Sequence, residues 1–91
     1  MAYQIRLSSQ FKKDFQRCIR RGFNMKLITD AMDLLEANGS LPPKYRPHKL
    51  SGNLHGIWEC HIQPDWLMTW QQDNQQLTLL FLQTGTHSDI F

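Results

Sequence analysis

Trp58-Glu59-Cys60-His61-Ile62-Gln63-Pro64-Asp65-Trp66-Leu67-Met68-Thr69-Trp70-Gln71 is the stretch on which the fold turns. Successive side chains of a strand point to opposite faces. Here Trp58, Cys60 and Ile62 fall on one side and Glu59 and His61 on the other, and the alternation extends back through Leu54 and Gly56 on the first face and His55 and Ile57 on the second. Gln63-Pro64-Asp65 carries turn chemistry, because proline presets its backbone angle and aspartate accepts from backbone amides just beyond it. The run from Trp66 to Gln71 is therefore expected to pair back as a hairpin. Asp73-Asn74-Gln75 makes a second turn, and Leu77 to Gln83 supplies a further strand. Trp58, Trp66, Trp70 and Phe81 read as core side chains rather than platforms for stacked bases.

Upstream of the hairpin, residues 40 to 53 contain Pro42, Pro43, Pro47 and Gly52 and read as a loop that carries Lys44, Tyr45, Arg46, His48 and Lys49. Before it, Leu27, Ile28, Ala31, Met32, Leu34 and Leu35 form the apolar stripe of a helix that Asn24 caps and Asn38-Gly39 closes. Phe11, Phe15, Cys18 and Ile19 recur at helical spacing, with Ser8 or Ser9 as N-cap and Gly22 as stop. Residues 2 to 7 alternate as a short strand with Tyr3, Ile5 and Leu7 on one face. The tail to Phe91 has length for one helical turn. The order strand, helix, helix, strand, strand, strand predicts a single α+β domain over residues 1 to 91, with two N-terminal helices packed on one face of a twisted antiparallel sheet. The opposite face is left for a ligand.

A net charge of +2 conceals an asymmetry. All ten Lys and Arg precede residue 50, against four acids there, which makes that half +6; the remainder has four acids and no Lys or Arg, which makes it −4. Lys12, Lys13, Arg17, Arg20 and Arg21 cover the outside of the first helix. Such a surface suits a phosphate backbone or an acidic peptide, while the plain alternative is a solvated helix face. No stretch reaches the roughly 20 apolar residues of a membrane span, and Met-Ala-Tyr-Gln-Ile-Arg lacks the apolar segment of a secretory signal, so a cytoplasmic protein with no membrane partner is expected. Cys18 and Cys60 lack CxxC spacing and are expected to be buried thiols.

His48, His61, Asp65 and His87 lie outside the main helical segments. Imidazole accepts and donates protons near neutrality, so several of them with a carboxylate suggest general acid-base chemistry. Cleaving RNA without a metal requires a base for the ribose 2'-OH, an acid for the leaving 5' oxygen and positive charge for the phosphorane. Asp65, across the turn from His61, is placed to orient an imidazole. Each residue has a plainer reading as well: His55 as an ordinary sheet histidine, His48 as a surface residue, His61 and Asp65 as hairpin caps, His87 as a helix cap. Three His with Asp65 or Glu59 is also a legal zinc set, but without HxxxH or CxxC spacing neither a metal nor another cofactor is expected.

The chain resembles the YafQ branch of the RelE toxin superfamily. The resemblance rests on His48-Lys49-Leu50-Ser51-Gly52, on Trp58 to Leu67, and on Thr84-Gly85-Thr86-His87-Ser88-Asp89-Ile90-Phe91, together with the basic first helix. It implies a RelE-like fold and the toxin half of a bacterial type II toxin-antitoxin pair. Such a protein is a ribosome-dependent endoribonuclease that cuts mRNA in the A site and leaves a 2',3'-cyclic phosphate. Its implied partners are a cognate antitoxin protein, the bacterial ribosome and mRNA. By position His48, His61, Asp65 and His87 correspond to the acid-base set and Phe91 to an active-site aromatic, with Glu59 and Gln83 in support. Lys12, Lys13, Arg17, Arg20, Arg21, Arg46 and Lys49 would face RNA or the ribosome.

Three positions depart from the family pattern. Gln83 stands where relatives usually carry arginine, Trp58 replaces an arginine or similar polar residue, and Trp70 takes a usual tyrosine position. A neutral amide does not supply a guanidinium's charge, so cleavage is expected to be weaker, with Lys49 or Arg46 compensating in part. Two other readings of the scaffold are a ParE-like toxin that poisons its target by binding and a module that only sequesters antitoxin.

Overall fold

The computed structural model describes residues 2–52 and 56–91; the expectations for Leu54 and His55 lie outside the described residues. The chain runs β1 (Gln4–Leu7), α1 (Ser9–Arg20), α2 (Met25–Asn38), a 3-10 turn (Pro43–Tyr45), β2 (His48–Lys49), β3 (Trp58–Gln63), β4 (Trp66–Asp73), β5 (Thr78–Gly85) and α3 (His87–Ile90). The α+β fold with two helices against a sheet is as expected. The strands stand in the order β1-β5-β4-β3-β2.

Two details differ from the expectation. The sheet is mixed, because β1 pairs with β5 in parallel, Ile5 facing Leu79. Alternation specifies which face a residue takes but carries no information on strand direction, and no hairpin links β1 to β5 to fix it. Within the segment expected to be loop, His48 and Lys49 form a short edge strand that pairs with Glu59 and Trp58. The preceding Pro47 lacks an N–H, which an edge position tolerates.

Helix boundaries follow local chemistry. Ser8 Oγ accepts from the Phe11 amide at 2.9 Å and donates to the Leu82 carbonyl at 2.8 Å, so one hydroxyl both caps α1 and ties it to β5. Asn24 caps α2 through the Lys26 amide. Gly39 ends α2 in the left-handed conformation (φ 69°), its N–H bonded to the Leu35 carbonyl.

The core lies between the helices and one sheet face. Phe11, Cys18, Ile28, Ala31 and Leu35 from the helices meet Cys60, Trp66, Met68, Trp70, Leu79 and Phe81. Trp58 joins this layer, stacked on Trp70 with ring centroids 6.0 Å apart. Both cysteines are buried free thiols, as expected; burial raises the Cys60 thiol's pKa. The expected stripe of α1 errs at two places: Ile19 is exposed, and Asp14 is only 2% exposed. A buried carboxylate requires partners, and Asp14 has them in Gln10, Arg17 and the Thr84 amide.

A β-bulge shapes the other face. Thr69 pairs with Gln83 but Trp70 pairs with Phe81, which leaves Leu82 as the extra residue on β5. Paired residues share a face, so the bulge moves Gln83 to the side opposite Phe81 and sends Thr84 towards the helices. There Trp66 Nε1 donates to Thr84 Oγ1, which donates to the Leu67 carbonyl.

A candidate active site on the face opposite the helices

Strand register assembles a polar row across this face: His48 opposite Glu59, Glu59 opposite Thr69, Thr69 opposite Gln83. His61 stands two residues along β3 from Glu59, with its ring centroid 6.5 Å from that of His48 and 5.9 Å from that of His87. His87 opens the α3 turn. Thr86 and Asp89 form a capping box that begins this turn, each side chain bonding the other's backbone N–H.

Hydrogen bonding orients each ring. Asp65 Oδ1 accepts from the His87 amide at 3.0 Å and contacts His87 Nδ1 at 2.5 Å. These bonds hold the Asp65 carboxyl below its usual range. The sequence put Asp65 across the turn from His61, with the chain end able to bring His87 nearby; it is His87 that Asp65 engages, since the α3 turn carries that residue over the hairpin. His61 Nδ1 faces the Pro64 carbonyl at 3.3 Å. A carbonyl only accepts, so Nδ1 donates and Nε2 is left with its lone pair for a substrate proton. With Asp65 as acceptor, the same reasoning leaves His87 Nε2 open.

His48 is constrained at both nitrogens: Nδ1 is 2.9 Å from the Arg46 carbonyl, and Nε2 is 3.2 Å from Glu59 Oε1. This pairing engages a carboxylate that is 6% exposed. Glu59 Oε2 and Thr69 Oγ1 are buried with no hydrogen-bond partner among the described residues. Two unpartnered oxygens in adjacent strands are costly for a fold, and such groups concentrate at functional sites. Thr69 was not singled out from sequence, although its alternation against Met68 and Trp70 places it on this face.

Between α2 and the end of β3, a cleft of about 410 Å³ is lined by Leu27, Lys44, Arg46, His61, Ile62, Gln63 and Pro64, with neither His48 nor His87 in its lining. A depression of about 460 Å³ at the far end of the sheet contains Arg6, Gln71 and Gln76 but none of the clustered histidines; the chemistry favours the His61 cleft. Phe91 is 63% exposed at the end of α3. Lys49 is not with the cluster: it faces away from His48, with its ammonium 5.5 Å from the Trp58 ring centre. Trp58 is likewise on the core face, so its replacement of a polar residue leaves the row of His48, Glu59, Thr69 and Gln83 intact.

The basic helix divides. Arg21 makes two bonds to Asp89, at 2.7 and 3.3 Å, and Arg17 bridges Asp14 at 3.1 Å and Asp89 at 3.9 Å. Lys12, Lys13 and Arg20 are exposed and form no salt bridge among the described residues.

The chain matches the family described as "Bacterial toxin of type II toxin-antitoxin system, YafQ" over residues 3–91. It belongs to the YafQ toxin family. The mRNA interferase toxin YafQ of Escherichia coli K12 is 33% identical over 88 residues, spanning 96% of this chain and 94% of the relative. YafQ in the E. coli DinJ-YafQ toxin-antitoxin complex superposes with a TM-score of 0.90 at 32% identity, over 100% of this chain and 99% of that one. A metal-bound toxin from Helicobacter pylori is 36% identical with a TM-score of 0.88, over the full length of both chains. No group of three or more His, Cys, Asp or Glu is placed to hold a metal ion among the described residues. No helix is long and apolar enough to cross a membrane among the described residues.

Proposed function

We propose that this YafQ-family toxin is a ribosome-dependent endoribonuclease of the cytoplasm that cuts mRNA in the A site by general acid-base catalysis. The enzyme class, an mRNA interferase, is that of the curated relative. The observation that carries the mechanism is the pair His61 and His87, ring centroids 5.9 Å apart, with Nδ1 of each tied back and Nε2 of each without a partner among the described residues. This spacing suits two imidazoles that act on one phosphodiester at their ring edges. One Nε2 removes the 2'-OH proton; the oxygen attacks phosphorus and forms a 2',3'-cyclic phosphate; the other Nε2 protonates the departing 5' oxygen. A positioned acid or base contributes about 10²- to 10⁴-fold.

His48, bonded to Glu59, would present its ring edge to the phosphorane, Arg46 would supply charge from the cleft, and Phe91 would pack on a base. The exposed Lys12, Lys13 and Arg20 suit ribosomal RNA. A cognate antitoxin is the partner by analogy with the DinJ complex of the E. coli relative.

The test is to map mRNA 5' ends in a translation system with wild type and with His61→Ala. Codon-phased cuts with wild type alone support the reading. Growth arrest that persists in His87→Ala without any cuts would instead favour a toxin that acts by binding.

A further inference from the structure

We propose that Arg21, with Arg17, is a positioning residue for His87: α1 clamps the carboxylate that shapes the α3 turn and so sets where the imidazole stands. The inference rests on the acid-base reading above. Its basis is a chain of contacts joining α1 to the C-terminal turn at several points. Arg21 grips both oxygens of Asp89. The same Asp89 accepts from the Thr86 amide at 2.9 Å and completes the capping box, so the carboxylate held by the arginine is also the one that starts the helical turn. Asp14, almost fully buried, accepts from the Thr84 amide at 3.2 Å. Arg17 lies between Asp14 and Asp89.

Gly85 shows how closely this clamp is built. It is buried with φ 154°, and a Cβ there would come within 2.8 Å of Asp89 Cβ and Oδ2 and 3.2 Å of Arg17 Nη2. The backbone therefore makes room at the one point where the clamp crosses it. From Asp89 to His87 is two residues within one turn, and Asp65 fixes the other side of that turn through the His87 amide. A four-residue helix has too little intrinsic stability to hold a side chain in place unaided. The arginines that made α1 look uniformly RNA-facing thus have two separate employments, with Lys12, Lys13 and Arg20 left for phosphate.

Single-turnover cleavage of mRNA on programmed ribosomes, measured across ribosome concentrations and pH, separates positioning from binding. Because about 1 Å of misplacement can cost on the order of 10²-fold, Arg21→Ala is expected to lower the maximal rate by about tenfold or more, with half-saturation changed less than about twofold. Arg21→Lys, which keeps the charge, should recover part of the loss. Gly85→Ala alters the clamp without changing any charge and should reproduce the rate defect, and the His87 ring resonances should shift in both variants while thermal melting confirms folding. Lys12→Ala should do the reverse, raising half-saturation with the maximal rate kept. The proposal is overturned if Arg21→Ala acts only on half-saturation, or if the His87 resonances do not move. His87→Ala is the reference: if it cleaves normally the acid-base reading itself fails, whereas loss in His87→Ala with an unimpaired Arg21→Ala sinks only the clamp.

Discussion

Asp65 holds His87 twice, through the backbone amide at 3.0 Å and through Nδ1 at 2.5 Å, although the two residues are 22 positions apart. The contact ties the β3–β4 turn to the start of α3, beside the pairing of Leu67 with Gly85. Both bonds favour the ionised carboxylate and lower its pKa, the backbone bond first. For a carboxyl lowered on folding, the stabilising contribution is complete above the ordinary value of 3.8 and is lost as pH falls through the lowered value. The His87 amide resonance should therefore titrate in acid with a midpoint below 3.8. Asp65→Asn should abolish this titration. A midpoint at or above the ordinary value would mean that Asp65 and His87 are apart in solution.

How much of this could be read beforehand depends on the range of the interaction. Alternation placed Glu59 and His61 on one face and Trp58, Cys60 and Ile62 on the other, because the pleat has a period of two and one face is apolar. Cap chemistry placed Ser8, Asn24 and Gly39, since each acts within four residues. The bulge at Leu82 was not legible: unbroken alternation would have put Gln83 on the side of Phe81. Asp14 as a buried hub was missed for a related reason, since its partner Thr84 is 70 residues away. The same distance in sequence disguised Arg17 and Arg21, which look like free surface charges until β5 and α3 come alongside. The direction of β1 and the choice of His87 over His61 as the partner of Asp65 depend equally on long-range packing.

Gln83 is now placed on the face that carries His48, Glu59 and Thr69. An arginine there would bring a delocalised cation with several donors to the row beside the imidazoles. Gln83→Arg is expected to raise the rate of mRNA cleavage on ribosomes by about tenfold, below the roughly 10²- to 10³-fold that one aimed oxyanion donor supplies. The same substitution with His87→Ala should give no gain, because a cation cannot replace the missing proton donor or acceptor. An unchanged or reduced rate in Gln83→Arg alone would count against charge as the limiting quantity.

Thr69 offers a case in which stability and activity should part. Its hydroxyl is buried and unpartnered among the described residues, as is Oε2 of Glu59, the residue it pairs with across β3 and β4. Valine has nearly the same shape without the hydroxyl, and leaving a buried polar group unpaired costs about 1–3 kcal/mol. Thr69→Val should therefore stabilise the chain by about 1 kcal/mol in a denaturant titration. If the polar row is kept to position Glu59 and His48, cleavage should fall in the same variant. A protein that is less stable would show that the hydroxyl is satisfied in solution.

The buried pair Trp66 and Thr84 anchors β5 just ahead of the C-terminal turn. Thr84 Oγ1 accepts from Trp66 Nε1 at 2.9 Å and donates to the Leu67 carbonyl at 2.7 Å, while the Thr84 amide binds Asp14. Thr84 is fully buried, so none of these partners has water as a substitute. Thr84→Val keeps the shape but strands an indole N–H, which should cost about 1–3 kcal/mol and alter Trp66 fluorescence. Thr84→Ser keeps both hydroxyl bonds and loses one methyl, worth about 0.8 kcal/mol. The order of stability should therefore be wild type, then serine, then valine, by urea unfolding. Packing alone would reverse the two variants, because valine fills the space better. The ranking thus decides whether the hydroxyl's hydrogen bonds or its volume anchors β5 ahead of His87.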